Sequence, residues 1–429
     1  MMNAHILSIG DELLIGDTVN TNAAWIGRFL TEHGFRVEEI RTITDEAGAI
    51  RHAIRSAMDR AALVITTGGL GPTHDDITMQ VVAELFDREL VLSEQVLEQI
   101  EKQFSRRNIE LTAANRDQAR VPEGSEILDN TQGTAPGVWL QTEHSALAVL
   151  PGVPYEMRSI MESGVSEKIR QGFSKLQIQA TRYLKTAGVT ESMLSSQLVG
   201  NLDNYLREGN GIAYLPSPSG VTIRISRSGN SREEAEERLD PVVEHIRGKA
   251  GDAVYGEGRD LSLSAVVGKL LHERNLTIAT AESCTGGRIA DTITNVPGSG
   301  DYFSGGMVTY AYEAKTRQLG IPWEILREHG AVSLEVALWM AREVSKAFDA
   351  DVGISATGIA GPGGGTSAKP VGTVWMGFWI EGRHFALKAR FTNDRNINKE
   401  RTVMTTLDTL RRQLLGFDSF PYDLKPQTL

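Results

Sequence analysis

Cys284 is the only cysteine among 429 residues. One thiol excludes an intrachain disulfide framework and fits a reducing compartment. Long apolar runs are missing too: no stretch approaches the ~18–20 uninterrupted apolar residues of a spanning helix, so no membrane association is expected. Basic charge is in deficit, with 44 Lys and Arg against 55 Asp and Glu and a net charge of -11. Nonspecific polyanion binding needs a basic face, so direct nucleic-acid contact is not expected. Small phosphorylated ligands, which need only local donors, stay open. The opening stretch MMNAHILSIGDELL has no basic residues ahead of its short apolar run. It reads as a buried first strand rather than a signal peptide, and a cytoplasmic location is expected.

Glycine is what the chain has in excess: 43 residues, where the ~7% average gives roughly 30. With 41% hydrophobic and 23% charged residues, the composition is that of a globular protein. The length predicts roughly two to four domains. Short apolar runs ending in glycine and followed by helical spacing recur at 5–9, 62–65, 277–280 and 352–355. That pattern predicts parallel sheets wrapped by helices. Residues 24–33 read as a helix with Gly34 just past its end, and 137–140 with 146–150 read as a hairpin. From about 178 the texture changes to that of a small α+β unit. Its last helix, 231–247, has Ser231 and Glu234 at capping-box spacing, an apolar stripe of Leu239, Val242, Val243 and Ile246, and a kink at Pro241. Residues 256–260 read as a linker. The predicted fold class is α/β: two three-layer α/β domains with mostly parallel sheets, 1–170 and 258–429, joined by a small α+β domain, 171–257.

Two constellations carry chemistry. In TGGLGPTHDD, a strand runs into Gly68, Gly69, Gly71 and Thr73, where backbone N–H groups and a following helix N-terminus can receive a phosphate. Asp75 and Asp76 would repel that phosphate unless a divalent cation lay between, and Mg²⁺ suits such a site. The plainer reading is a tight turn whose aspartates cap a helix at 77–86. In AESCTGG, the neighbours Ser283, Cys284 and Thr285 stand at a strand-to-helix bend. A serine hydroxyl needs a base. The nearest following histidines, His329 and His384, have no company that suggests a triad. Lys315 could serve if desolvation lowered its pKa, although the fragment YAYEAK alone reads equally as an exposed helix face. Cys284 is the rival nucleophile, since a thiolate at a helix start is activated. Alternation of an extended entry sends Ser283 and Cys284 to opposite sides. TGIAGPGGG, beginning at Thr357, is a second phosphate-like turn.

GDELLIGDTVNTNAAWIGRFL, TGGLGPTHDDIT, NTQGTAPGVW and LPGVPYEM together resemble the amino-terminal half of the CinA (competence/damage-inducible protein A) family, which is similar to the molybdopterin-binding MogA/MoaB fold. The resemblance implies a metal-dependent ADP-ribose pyrophosphatase that yields AMP and ribose 5-phosphate. Gly68, Gly69, Gly71 and Thr73 would contact phosphate, and Asp76 with Asp75 would hold the metal. Asn22 would touch substrate unless it only caps its helix. Glu156 is a weaker candidate, Glu12 looks like the family's glutamate, and Asp11 falls at a variable position. The alternative is a pterin- or nucleotide-binding module without turnover, in a competence or damage-response protein.

AESCTGG, VTYAYEAK, HGAVS, ATGIAGPGGG and KPVGTVW resemble the family's carboxy-terminal domain, related to the stand-alone PncC deamidases. That resemblance implies hydrolysis of nicotinamide mononucleotide to nicotinate mononucleotide and ammonia, with no metal or cofactor. It favours Ser283 as nucleophile, Lys315 as base and Tyr310 as the residue that positions the lysine or donates to developing charge. Backbone N–H groups at Thr285–Gly287 would form an oxyanion hole worth ~3 kcal/mol per donor. Glu282, Thr285, Gly286, Gly287, Thr357, Gly358, Gly361, Gly363 and Gly364 would contact substrate. Arg395, in FTNDRNINKER, would clamp phosphate, although Asn393 stands where the family more often has glycine. The family also implies a homodimer.

Overall fold

The structure, a computed structural model, describes residues 2–73, 76–106, 110–173 and 177–429. By its contacts the chain divides into two compact units, Met1–Ala180 with Ser228–Glu237, and Thr181–Arg227 with Arg238–Leu429.

Strands of the first unit are β1 (Met2–Ile9), β2 (Phe35–Ile43), β3 (Leu63–Thr67), β4 (Leu90–Leu92), β5 (Arg120–Pro122), β6 (Glu126–Leu128), β7 (Gly137–Gln141) and β8 (Ala146–Leu150). Six form one sheet in the order β2-β1-β3-β8-β7-β6, and β4 pairs with β5 apart from it. Pairings from β2 to β8 are parallel, and β8-β7-β6 is antiparallel, so the hairpin read at 137–150 forms. Period-two alternation sorts each central strand between two cores. Ala4, Ile6, Leu63 and Ile65 face one cluster, completed by Ile26 and Leu30 of the helix Thr21–Glu32 and by Met157 and Ile160. Leu7, Ile9 and Val64 face the other, with Ile50 and Ile54 of the helix Ala47–Met58 and Val81 and Val82 of the helix Thr78–Leu85. Helix Thr21–Glu32 closes at Gly34, whose φ of 86° lets its N–H reach back to Thr31 O at 3.1 Å.

Between the two large sheets in sequence, β9 (Ile178–Thr186), β10 (Gly211–Ser217), β11 (Gly220–Gly229) and β12 (Val254–Glu257) form a four-stranded sheet ordered β10-β11-β9-β12. Gly256 and Glu257 therefore belong to an edge strand, not to a linker. Pro241 does not kink one long helix. Two helices form, Arg232–Glu237 and Asp240–Ala250, and Pro241 opens the second, where its missing N–H costs nothing. The stripe Leu239, Val242, Val243 and Ile246 is buried as the spacing predicts.

β13 (Ile278–Glu282), β14 (Phe303–Val308), β15 (Val352–Gly358), β16 (Thr373–Ile380), β17 (Arg383–Arg390) and β18 (Pro426–Gln427) build a mixed sheet ordered β14-β13-β15-β16-β17-β18. β13 pairs in parallel with β14 and β15, and the remaining pairings are antiparallel. Helices Leu263–Glu273, Arg288–Thr294 and Arg395–Leu414 bury Val267, Ile289, Val403 and Leu407 against one face. Helix Leu334–Ala347 covers the other, and it lies close because Gly353 and Gly377 lack a Cβ. One added there would stand 1.9 Å from Ala341 O and 2.2 Å from Ala337 O.

The small sheet is tied into this second unit by buried charge. Asp408 accepts from Arg411 Nε and Arg412 Nε, both at 2.9 Å, with all three side chains buried in helix Arg395–Leu414. Arg412 also donates to Ser419 Oγ at 2.8 Å and to Ala187 O at 3.3 Å, and Arg411 donates to Asp252 O. Among the described residues no helix is long and apolar enough to cross a membrane.

Candidate functional site

In both large sheets the chain reverses direction beside a central strand, β1 or β13. Open α/β sheets form a crevice at the carboxyl ends of the strands at such a switch point. Ser283 follows β13 directly. Its N–H donates to Ala356 O at 2.9 Å, and Thr309 N–H donates to Glu282 O at 2.8 Å. The pairing with β15 and β14 is thus carried one residue beyond the strand, which pins the serine. Gly286 and Gly287, at φ 63° and 93°, then turn the chain into helix Arg288–Thr294. That left-handed backbone disfavours any residue with a Cβ.

Lys315, on helix Tyr312–Leu319, is 0% exposed, and its Nζ lies 3.0 Å from Ser283 Oγ, 2.7 Å from Thr309 O and 3.2 Å from Tyr310 O. No carboxylate is among those contacts. Burial pushes its pKa from 10.5 down to about 8, because desolvation disfavours the ammonium. A neutral amine has two N–H donors and one lone pair. With the two carbonyls taking the donors, the lone pair is left for the Ser283 hydroxyl proton. Ser283 itself keeps 8% exposure. Cys284 packs into the same apolar cluster as Ile289 and Ile293, and burial raises its thiol to about 12. A thiolate there is suppressed.

The surrounding residues divide by what they touch. Glu282 is buried with its carboxylate on the helix start: Oε2 accepts from Gly287 N and Ile289 N at 3.0 Å, and Oε1 from Ala290 N at 2.8 Å. It supplies the cap that Gly287 cannot, and both oxygens are used there rather than on a ligand. Gly286 N–H donates to Ser283 O at 3.2 Å. Of the three amides expected at the oxyanion hole, two are therefore engaged in the turn, and only the Thr285 amide has no such partner among the described residues. Thr285 Oγ1 is buried and unpartnered. The Tyr310 side chain is 60% exposed and meets Lys315 through its backbone carbonyl. Positioning by the phenol is not what the geometry provides.

β15 runs to Gly358, so Thr357 and Gly358 lie in a strand rather than in the glycine loop. Thr357 Oγ1 donates to Ala331 O at 2.7 Å, and a Cβ on Gly358 would meet Thr373 O at 2.7 Å. Gly361, at φ 96°, packs against Val371, whereas Gly363 borders open space and Gly364, at φ 85°, lies beside Ile359. Arg395 Nε donates to Gly361 O at 2.7 Å, anchoring that loop. Three residues absent from the sequence reading complete the frame. Asn398 is fully buried: its Oδ1 accepts from Thr392 N and Oγ1, and its Nδ2 donates to Ala360 O and Thr392 O. Lys369 Nζ donates to His329 O at 2.7 Å. Lys399 Nζ would lie 3.4 Å from a Cβ on Gly286. His329 pairs with Glu335, and His384 stacks on Trp379.

In the first unit a crevice of about 480 Å³ opens at the ends of β1 and β3, lined by Gly68, Gly69 and Gly71 and by four carboxylates, Glu12, Asp45, Asp76 and Glu156. Gly68, at φ 113°, lies so close to β1 that a Cβ would stand 2.2 Å from Ile9 O. Asp76 Oδ2 accepts from Thr73 N at 3.0 Å and from Thr73 Oγ1. Thr73 thus holds the carboxylate and is not itself in the lining, and Asp76 does not cap the next helix, which starts at Thr78. Asp75 lies outside the described residues. Asn22 does not cap its helix; Asn20 does, accepting from Ala23 N at 3.0 Å. Asn22 Nδ2 reaches Gly152 O at 2.7 Å, and its Oδ1 is buried without a partner. Glu156 is buried and accepts from Asn130 Nδ2 at 2.6 Å. Asp11 meets this region only through its N–H, given to Asp45 at 3.0 Å. Hard carboxylate oxygens beside glycine amides suit Mg²⁺ shared with phosphate.

Three family models match in order: "Probable molybdopterin binding domain" over 5–171, "Damage-inducible protein CinA KH domain" over 181–256, and "CinA C-terminal domain" over 260–414. A CinA-like protein of Salinibacter ruber is 44% identical over 414 residues, covering 96% of this chain and 100% of that one. One from Dictyoglomus thermophilum is 41% identical over 423 residues, covering 97% and 100%. The crystal structure of CinA from Thermoplasma acidophilum is 36% identical and covers 39% of this chain and 98% of that one, at a TM-score of 0.37. With full-length relatives at this identity, the chain belongs to the CinA family.

Proposed function

We propose that the second unit hydrolyses a carboxamide, that of nicotinamide mononucleotide, to the carboxylate and ammonia. The observation that carries this reading is the 3.0 Å contact between the buried Lys315 amine and Ser283 Oγ. Ser283 Oγ adds to the amide carbon as its proton passes to the Lys315 lone pair. The resulting ammonium returns that proton to the departing nitrogen, and ammonia leaves behind a serine ester. Water, losing a proton to the same amine, then cleaves the ester, and Ser283 regains its hydrogen. Burial supplies the base: at about 8, the lysine is partly neutral near pH 7, as a general base requires. Gly363 has room for the nucleotide phosphate. Ammonia release from nicotinamide mononucleotide by the full chain tests the reading; no release from a folded sample at pH 8 would end it.

The first unit is proposed to cleave ADP-ribose to AMP and ribose 5-phosphate. A divalent cation bound there, Mg²⁺ by preference, would shield phosphate charge and polarise its oxygens. Asp76 would hold it, and the Gly68–Gly69 turn would receive phosphate at its amides. AMP production with Mg²⁺ tests this; tight binding of ADP-ribose without AMP across several divalent metals would make the unit a binding module. A homodimer belongs to the same proposal and is read by light scattering.

A further inference from the structure

Away from Ser283, the second unit contains a cavity of about 340 Å³ where five segments meet: the loop after β9, the β10–β11 turn, the end of β17, helix Arg395–Leu414 and the carboxy-terminal tail. Its walls are largely apolar and flat, with Pro216, Pro218, Phe391 and Tyr422 among them. Two arginines, Arg390 and Arg401, line the same space, and neither forms an ion pair within the described chain. We infer that this cavity binds a small anion with a flat apolar body, of the nucleoside monophosphate class.

The argument is one of charge, shape and strain. Arg401 is half-buried and Arg390 exposed, and with neither in an ion pair both guanidinium groups can hold an arriving phosphate oxyanion bidentately. Glu191 also lines the cavity. Two cations against one anion leave a single positive charge, which suits a monophosphate better than a polyphosphate. The volume lies near the low end of ligand sites, about 300–1,000 Å³, and so favours a mononucleotide over a dinucleotide. Tyr422 is held at φ 54° and ψ 28°, the left-handed region, by its N–H on Gly188 O at 2.6 Å. A non-glycine residue kept there is a strained feature that the surroundings must impose, and such features gather at ligand sites. Burial raises the pKa of the Tyr422 hydroxyl, which keeps it protonated and able to donate. Phe391 immediately precedes Thr392, which Asn398 ties to the glycine loop through Ala360. A ligand on this wall would thus lie one residue from the frame of the Ser283 site.

The inference stands whether or not Ser283 turns over its substrate. The test uses the full chain carrying Ser283→Ala and Asp76→Asn, titrated calorimetrically with AMP, adenosine, ribose 5-phosphate and orthophosphate. AMP is expected to bind, with each of the other three at least tenfold weaker. Two cavity variants are made in the same background: Arg390→Met with Arg401→Met, and Thr190→Trp, which fills the space from its exposed rim. Each is expected to weaken AMP at least tenfold with its unfolding temperature preserved, and if one fails to fold the other decides. AMP affinity unchanged by a folded cavity variant would place the binding elsewhere and overturn the inference, as would no AMP binding at millimolar concentration. Orthophosphate binding as well as AMP would reduce the site to an anion hole and overturn the assigned class.

Discussion

The two large sheets have the same arrangement at their centres, β2-β1-β3 in one and β14-β13-β15 in the other, all parallel. Both end the central strand at a turn that only nearby glycines permit, yet the two crevices hold opposite chemistry. In the first, four carboxylates and a run of glycine amides line open space, which under the proposed function would receive phosphate with the help of a cation. In the second, one amine is sealed under the turn, and the carboxylate next to Ser283 in sequence, Glu282, is used up on a helix start. The topology supplies a place; whether that place binds charge or moves a proton depends on which side chain is withdrawn from water. Asp76 is only half-buried, whereas Lys315 is buried and gives up part of its charge.

The largest effects should come from removing that amine or its hydroxyl partner. Ser283→Ala and Lys315→Met are each expected to lower ammonia release by ~10³-fold or more, within or above the usual range for a general base, while leaving AMP formation from ADP-ribose unchanged. Cys284→Ala should stay within about threefold of the parent. If Cys284→Ala is dead and Ser283→Ala active, the second crevice is a thiol site and the contrast drawn here fails.

Next in size is the buried-charge anchor between helix Arg395–Leu414 and the segments flanking the small sheet. Asp408→Ala leaves Arg411 and Arg412 buried without a counter-charge, and breaking such a pair costs about 3–5 kcal/mol. Urea unfolding monitored by the tryptophans of β16 should show the loss. By the same bonds to Ala187 and Asp252, a fragment 181–429 should unfold cooperatively at a higher temperature than 258–429. Equal stability of the two fragments would mean the buried charges do not couple the small sheet to the large one.

The depressed lysine also sets a pH dependence for the second unit. Its value of about 8 in the folded chain lies below the ordinary 10.5. Between those values the unfolded chain binds the extra proton, so stability rises with pH across that window, and the penalty is fully present below about pH 8. The span amounts to about 3 kcal/mol. The stability difference between the parent and Lys315→Met should therefore shift by up to that amount in favour of the parent from pH 7.5 to 10.5. The rate of ammonia release should rise with pH about a midpoint near 8. A flat difference and a flat rate would show a lysine that is charged throughout. For the first crevice, Asp76→Asn is expected to weaken Mg²⁺ binding by at least the about 10–100-fold typical of losing an outer-shell partner, so that AMP formation needs correspondingly more Mg²⁺, with ammonia release unaffected.

Much of this arrangement could be read from residue order alone, and the reason is local. A buried strand, a glycine and a helix leave their marks within a dozen residues, so β1, β3, β13 and helix Leu334–Ala347 are visible as runs and periods. Ser283 and Lys315 stand out as residue types, but their contact spans the crossover from β13 to β14, and no local spacing encodes it. What stayed hidden was any role exercised on main-chain atoms far away in sequence. Asn398 shows no pattern, because its four partners are amides, carbonyls and a hydroxyl brought to it by the fold. Asp76 looked like a cap or a ligand by its place before a helix, and its actual partner, Thr73, is three residues back. Pro241 was misread because helical spacing continues through 231–247, although the chain stops one helix and starts another within it.

Glu282 offers the finest distinction between the crevices, because the family resemblance makes it a substrate contact and the geometry makes it a cap. Glu282→Gln keeps the shape but gives the helix start one acceptor oxygen and an NH₂ group facing an N–H. The loss of charge at a helix N-terminus and of one bond should cost about 1–2 kcal/mol of stability. If the carboxylate only caps, KM for nicotinamide mononucleotide stays within about twofold, and kcat falls modestly as the turn holding Ser283 loosens. A KM raised tenfold or more at unchanged stability would mean the carboxylate leaves the helix for the substrate. The second crevice would then direct an acidic group at its ligand.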